Sequence, residues 1–167
     1  MSLQQTQLVD MGEIHVSTNK MVVFTIPNLG TGVALTIYDY LHQVAGIAHI
    51  VLPESALSEA YADELSGKFA NLAIPILVEQ FTKLGGQKRD SVVRMVGGAQ
   101  LFNFGGGGGN ILNIGARNAT AIRAGMSKQG FVIQKADTGG NKGKSVRFMV
   151  ATGEIFICPI GGKDYLL

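Results

Sequence analysis

Few side chains in this sequence can do covalent or acid–base chemistry near neutral pH. There is one cysteine, Cys158, and there are three histidines, His15, His42 and His49. His49 lies in the apolar stretch "GIAHIVLP", where a histidine is either a satisfied core residue or a base aimed into a cleft. Cys158 lies in "IFICPI", where a cysteine reads as a small buried apolar residue. The histidines and the cysteine show no ligand-type spacing and no helical i, i+4 pair, so no metal site is expected. The turn "LGTGV" raises a further question. Gly30 and Gly32 flank Thr31, and glycines this close permit backbone angles that other residues avoid. Such turns hold reactive side chains at the mouth of a sheet. This one offers a single hydroxyl and two bare backbones.

Two glycine-rich stretches resemble phosphate loops only superficially. "TGGNKGKS", Thr138 to Ser145, has threonine where a P-loop begins with glycine, and it runs into a strand instead of a helix N-terminus. The five-glycine run Gly105 to Gly109 lacks the lysine and hydroxyl of such a loop and reads as a floppy connection. No cofactor is expected.

Composition narrows the class of molecule. A chain of 167 residues, 46% apolar and 16% charged, is long enough for one well-buried core. The predicted organisation is a flexible N-terminal tail over residues 1–10 and a single domain over 11–167. A formal charge of +2 with scattered basic residues argues against nucleic acid as a partner. A single cysteine allows no internal disulfide and suits a reducing compartment. The apolar stretches are too short to cross a bilayer, and the first residues lack the pattern of a secretory signal. A cytoplasmic location without membrane insertion is expected.

These candidates must be positioned by strands. "EIHVS", "MVVFTI", "VALTIYDY", "VAGIAHIVLP", "SVVRMVGGA" and "FVIQKADTGG" read as strands, and "SVRFMVATGEIFICPI" as a hairpin turning at Thr152-Gly153. Ser55 to Gly67 reads as a polar connection. Phe69, Leu72, Ala73, Ile76, Leu77, Phe81 and Leu84 predict a helix over Lys68 to Leu84, stopped by Gly85-Gly86, with Pro75 kinking it or marking its first turn. A second helix is predicted over Asn118 to Lys128, with Asn118 as its N-cap. Grouped strands that outnumber helices favour an α+β fold: mixed β-sheets packed as a sandwich-like core, with two main helices on the outer face.

In chain order, several motifs resemble those of the CheD family of chemoreceptor glutamine deamidases. "MGEIHVS" is similar to the family's opening, "LGTGVALTIYD" to "LGSCVAVxLYD", and "GIAHIVLP" to "GxxHxMLP". "RMVGGAQLF" is similar to "KxFGGAxMF", followed by "IGARN" and "GGNKGKSVRFMVATGEI". The similarity runs from about Met11 to Ile157.

The resemblance implies a CheD-like cysteine deamidase fold and hydrolysis of receptor glutamine side chains to glutamate, in some members of receptor methyl esters as well. It implies a cysteine nucleophile, a histidine and an upstream threonine. In the implied reaction a thiolate attacks the amide carbon, histidine shuttles protons, ammonia leaves, and water opens the thioester. His49 falls on the histidine position, and its spacing from the turn agrees. Thr25 is the nearest match to the threonine, displaced by one residue, a difference the "IPN" segment could absorb. The nucleophile position is Gly32, so the cysteine is lost here. Thr31, Gly97 and Gly98 match motif positions near the substrate cleft, although Gly97-Gly98 also fits a sharp strand exit. The implied partners are the cytoplasmic region of chemoreceptors and a CheC-type phosphatase.

Overall fold

The structure, a computed structural model, describes residues 3–54, 66–101 and 113–167. The five-glycine run Gly105 to Gly109 and residues 55–65 of the Ser55 to Gly67 connection lie outside these residues.

The most apolar strand explains the architecture. All seven residues of β4 (Val33–Asp39) are buried. Because side chains alternate across a strand, β4 must be covered on both faces. Val33, Leu35 and Ile37 join one core cluster, with residues of helices α1 (Ala70–Lys83) and α2 (Ile114–Lys128). Ala34 and Tyr38 join the other, with residues of a second sheet. Each fully buried Leu or Ile contributes on the order of 2 kcal/mol, so the sandwich forms wherever both faces of β4 find partners.

The sheet holding β4 has the order β2-β5-β4-β6-β7, where β2 is Ile14–Ser17, β5 Val44–Ile50, β6 Ser91–Gly97 and β7 Ile133–Thr138. The facing sheet has the order β1-β3-β8-β9-β10: Gln5–Leu8, Val22–Leu29, Lys144–Met149, Ile155–Pro159 and Tyr165–Leu166. Both are mixed, with β1–β3 and β6–β7 parallel and the remaining pairs antiparallel. The α+β sandwich with two helices on an outer face is therefore the observed architecture, and β8–β9 is the expected hairpin.

Three local expectations are corrected. Residues 5–8 of the predicted tail form β1, and Val9 beyond it is buried. This edge strand is largely exposed and carries no apolar alternation, so its main-chain pairing with β3 left no trace in the residue pattern. Helix α2 starts at Ile114, where the Asn113 side chain accepts a hydrogen bond from the Ala116 N–H at 3.0 Å, and Asn118 lies inside the helix. Helix α1 buries Ala70, Ala73, Ile74, Leu77 and Phe81, a stripe turned slightly from the predicted one, which leaves Pro75 exposed in its second turn.

Candidate functional site

Strand alternation decides which side chains meet. Ala34 on β4 and His49 on β5 are directly paired, and both point between the sheets rather than toward the helices. Residue 32, two before Ala34, shares that side. A β-carbon built on Gly32 would stand 3.1 Å from His49 Nε2 and 3.2 Å from the Ile50 carbonyl oxygen. The imidazole is thus the immediate neighbour of any side chain at position 32. Both residues line a cleft of about 570 Å³ at this end of the sandwich. Its walls come from the chain after β1 (Val9, Asp10, Met11), the end of β3 (Ile26, Pro27, Asn28), Thr31, Lys68 and Leu101.

The backbone of the turn is held at every residue. Gly98 N–H donates to the Gly32 carbonyl at 2.8 Å, and Ala99 N–H to the Gly30 carbonyl at 3.0 Å. The Thr31 carbonyl accepts from the Asn118 amide at 3.0 Å. Gly30 and Gly32 are not left-handed, so these glycines do not serve the backbone freedom expected of them. That freedom is used across the sheet. Gly97 has φ +115° and Gly98 +63°, and a β-carbon on Gly97 would come within 2.4 Å of the Gly32 carbonyl oxygen. The glycine pair on β6 lets its backbone approach and grip the turn.

His49 is 6% exposed. Its Nδ1 lies 3.2 Å from the Val9 carbonyl, which can only accept, so Nδ1 carries the proton and Nε2 keeps its lone pair. Burial pushes the imidazole pKa below its ordinary value, against the raising effects of the Val9 bond and of Asp10 and Glu13. The site therefore presents a neutral, anchored base whose other nitrogen, without a hydrogen-bond partner among the described residues, faces residue 32.

Comparison with known proteins places the chain in a family. The family model for CheD chemotactic sensory transduction matches residues 51–158. Proteins from Clostridium botulinum strains Hall and Okra are each 33% identical over 153 residues, covering 92% of this chain and 92% of the relative. A Clostridium novyi protein matches to the same extent, and all three bear the name probable chemoreceptor glutamine deamidase CheD. The chain belongs to the CheD family.

Within that family frame, Thr25 sits on β3 opposite Arg147, with its hydroxyl 3.5 Å from the Val23 carbonyl. Thr25 is not among the residues lining the cleft, although the three residues after it are. Between Ile26 and Leu29 the register against β8 slips by one residue, a bulge at Pro27-Asn28. Gly97 and Gly98 likewise do not line the cleft; they hold the turn that does.

Cys158, expected to be buried, is exposed. Ile155 and Ile157 take the inward positions of β9, which leaves residue 158 on the outer face. A hydrogen bond with Asp164 raises its thiol pKa, the opposite of what a nucleophile needs. Thr138 to Ser145 joins β7 to β8, so a strand follows the glycine-rich segment. Among the described residues, Asp39, His42 and Asp90 place ligand-type atoms within 4.8 Å of one another. The Asp39 oxygens already accept from Leu41 N–H, His42 N–H, His42 Nδ1 and Gln87 N–H, which makes this group a hydrogen-bonded knot.

Sequence reasoning missed the Val9 carbonyl and the Asn118 amide. A backbone carbonyl has no residue signature. Asn118 was visible in "IGARN" but fitted an N-cap equally well.

Proposed function

We propose that this CheD protein acts on the cytoplasmic region of chemoreceptors, and that its glutamine deamidation is impaired because glycine occupies the nucleophile position. In the family reaction a thiolate at position 32 would attack the amide carbon to give a tetrahedral adduct. Imidazolium at 49 would protonate the departing ammonia, and a water deprotonated by Nε2 would then open the thioester to glutamate. His49 is suited to that work: it is neutral, fixed through Nδ1, and without a hydrogen-bond partner at Nε2 among the described residues. Gly32 supplies no sulfur. The observation that carries this reading is the 3.1 Å separation between His49 Nε2 and a β-carbon at residue 32.

The test is incubation with a receptor cytoplasmic fragment, followed by peptide mass spectrometry for glutamine-to-glutamate conversion. The native chain is expected to stay at the buffer level. Gly32→Cys should raise conversion on the order of a hundredfold or more, since the nucleophile dominates such mechanisms. The new β-carbon requires the imidazole and the Ile50 carbonyl oxygen each to give by a few tenths of an ångström, at the end of β5 where the ladder with β4 stops. Full conversion by the native chain, or none by Gly32→Cys with a native fold, would sink the proposal.

A second reading is favoured by the cleft itself. Among its described lining residues the only hydroxyl is that of Thr31, and none carries a thiol. A cleft without a nucleophile still binds. On this reading the protein is a docking module for receptor helices or for a CheC-type phosphatase, working by occupancy in the cytoplasm. Titration against each partner decides it, and no measurable affinity for either removes it.

A further inference from the structure

Asn118 is fully buried in the second turn of α2. One amide nitrogen donates to two carbonyls, Thr31 at 3.0 Å and Val51 at 3.1 Å. Those acceptors leave no choice of orientation, because the amide oxygen turned toward them would face two oxygens. The oxygen itself has no hydrogen-bond partner among the described residues. An apolar residue here would remove that unpaired oxygen, but it would also take the donor away from both carbonyls. The asparagine must therefore be judged by what its nitrogen holds.

The two carbonyls flank the site. Thr31 immediately precedes Gly32, and Val51 follows His49 by two residues. Pairing of β4 with β5 ends at Val33 opposite Ile50, so residues 31 and 51 lie just beyond the last ladder position. There the strands would be free to splay. The Asn118 amide bridges them from the helix side in place of the next ladder bond. Its helix is brought close by a tight backbone contact, in which a β-carbon on Gly115 would meet the Gly98 carbonyl at 2.3 Å.

We infer that Asn118 is a positioning residue of the cleft, whose amide fixes the spacing between the backbone at residue 32 and the imidazole of His49. This rests on the reading of residues 32 and 49 as one site. It acts through those residues and touches no substrate.

Two readouts on the full chain test it. In the native Gly32 chain, the His49 imidazole is titrated by NMR with Asn118 intact, with Asn118→Leu and with Asn118→Val. Leu fills the space with apolar contact and Val leaves it slacker, and neither donates a hydrogen bond, so a variant that fails to fold leaves the other. Neither variant adds a charge, and Asp10 and Glu13, the charged groups that act on His49, are the same in all three chains. The expected result is an upward shift of the His49 midpoint toward that of an ordinary imidazole, as water reaches the loosened strand end. A lowered melting temperature with the midpoint unmoved is what a merely structural role gives, and it overturns the inference.

The second readout uses Gly32→Cys with Cys158→Ser. Alkylation by iodoacetamide at pH 6 should fall about tenfold when the uncharged Asn118→Leu or Asn118→Val is added, since thiolate formation depends on the nearby base. An unchanged rate counts against the clamp. If the thiol at 32 alkylates like an ordinary cysteine with Asn118 present, the nucleophile reading fails, while the His49 titration still decides the role of Asn118.

Discussion

The two ends of β4 carry the polar groups of the sheet and treat them in opposite ways. At the Asp39 end, four donors converge on one buried carboxylate at 2.8–2.9 Å. Nearby, buried Arg94 donates through its guanidinium to the Gly153 carbonyl, and the Tyr38 hydroxyl donates to the Val150 carbonyl at 2.9 Å. These bonds stitch the β8–β9 turn to the other sheet. At the Gly32 end the backbone is gripped as firmly, yet among the described residues His49 is bonded through one nitrogen only, and the other faces a cleft. A group with all its lone pairs taken serves the fold. A group held on one side and left open on the other can do chemistry.

The sharpest way to break this contrast is at the open end. Gly97→Ala would force a side chain into a left-handed backbone and against the Gly32 carbonyl. A loss of about 3 kcal/mol is expected, from backbone strain and overpacking together. Urea denaturation measures it. A loss below about 0.5 kcal/mol, the scale of a neutral surface change, would show that the turn tolerates displacement.

At the closed end, Asp39→Asn should cost about 2 kcal/mol, because the replacement turns a donor toward donors. Its effect should stay local, leaving the His49 titration unchanged. Burial alone pushes the Asp39 carboxyl up, but hydrogen bonds from His42, Gln87 and Leu41 outweigh it and hold the pKa below the ordinary carboxylate value. The unfolded chain therefore takes up this proton first as acid is added. The stabilisation is complete above about pH 4 and is lost as pH falls through the folded value. A pH series of melting temperatures should show that acid loss in the native chain and not in Asp39→Asn.

The smallest effect belongs to His49, and it runs in a different window. Its folded pKa is depressed, so the unfolded chain binds a proton that the folded one refuses. Stability contributed by this group is present at higher pH and declines as pH falls through about 6.5, the ordinary imidazole value. His49→Gln should flatten the curve between pH 7.5 and 5.5. An identical slope in the variant would mean that His49 is not the neutral, buried base described here.

The fold was largely legible because the strands are strongly apolar and evenly punctuated: "VALTIYD", Val33 to Asp39, is one such strand and is buried on both faces. β1 was not legible, since "QTQL" is exposed and is held by main-chain bonds that every residue type can make. The candidate site was legible as a pair, residues 32 and 49, through motif order. Thr25 and the glycine pair were harder. A bulge moves the lining to the residues after Thr25, and the glycines act through the backbone approach they allow. Cys158 was misread because one inward or outward step in a short strand reverses burial, and "IFICPI" is apolar at both parities.

By itself the sequence determined the inventory: no cysteine at position 32, one histidine in an apolar strand, and enough alternating apolar residues for a two-sheet core. Which inventory members meet was decided only by the tertiary structure. Strand pairing put residue 34 opposite residue 49, the Val9 carbonyl just after β1 chose the histidine's tautomer, and an asparagine on a distant helix closed the strand ends. Contacts of that kind depend on long-range register and on backbone groups identical in every residue, so composition and local spacing leave them unwritten.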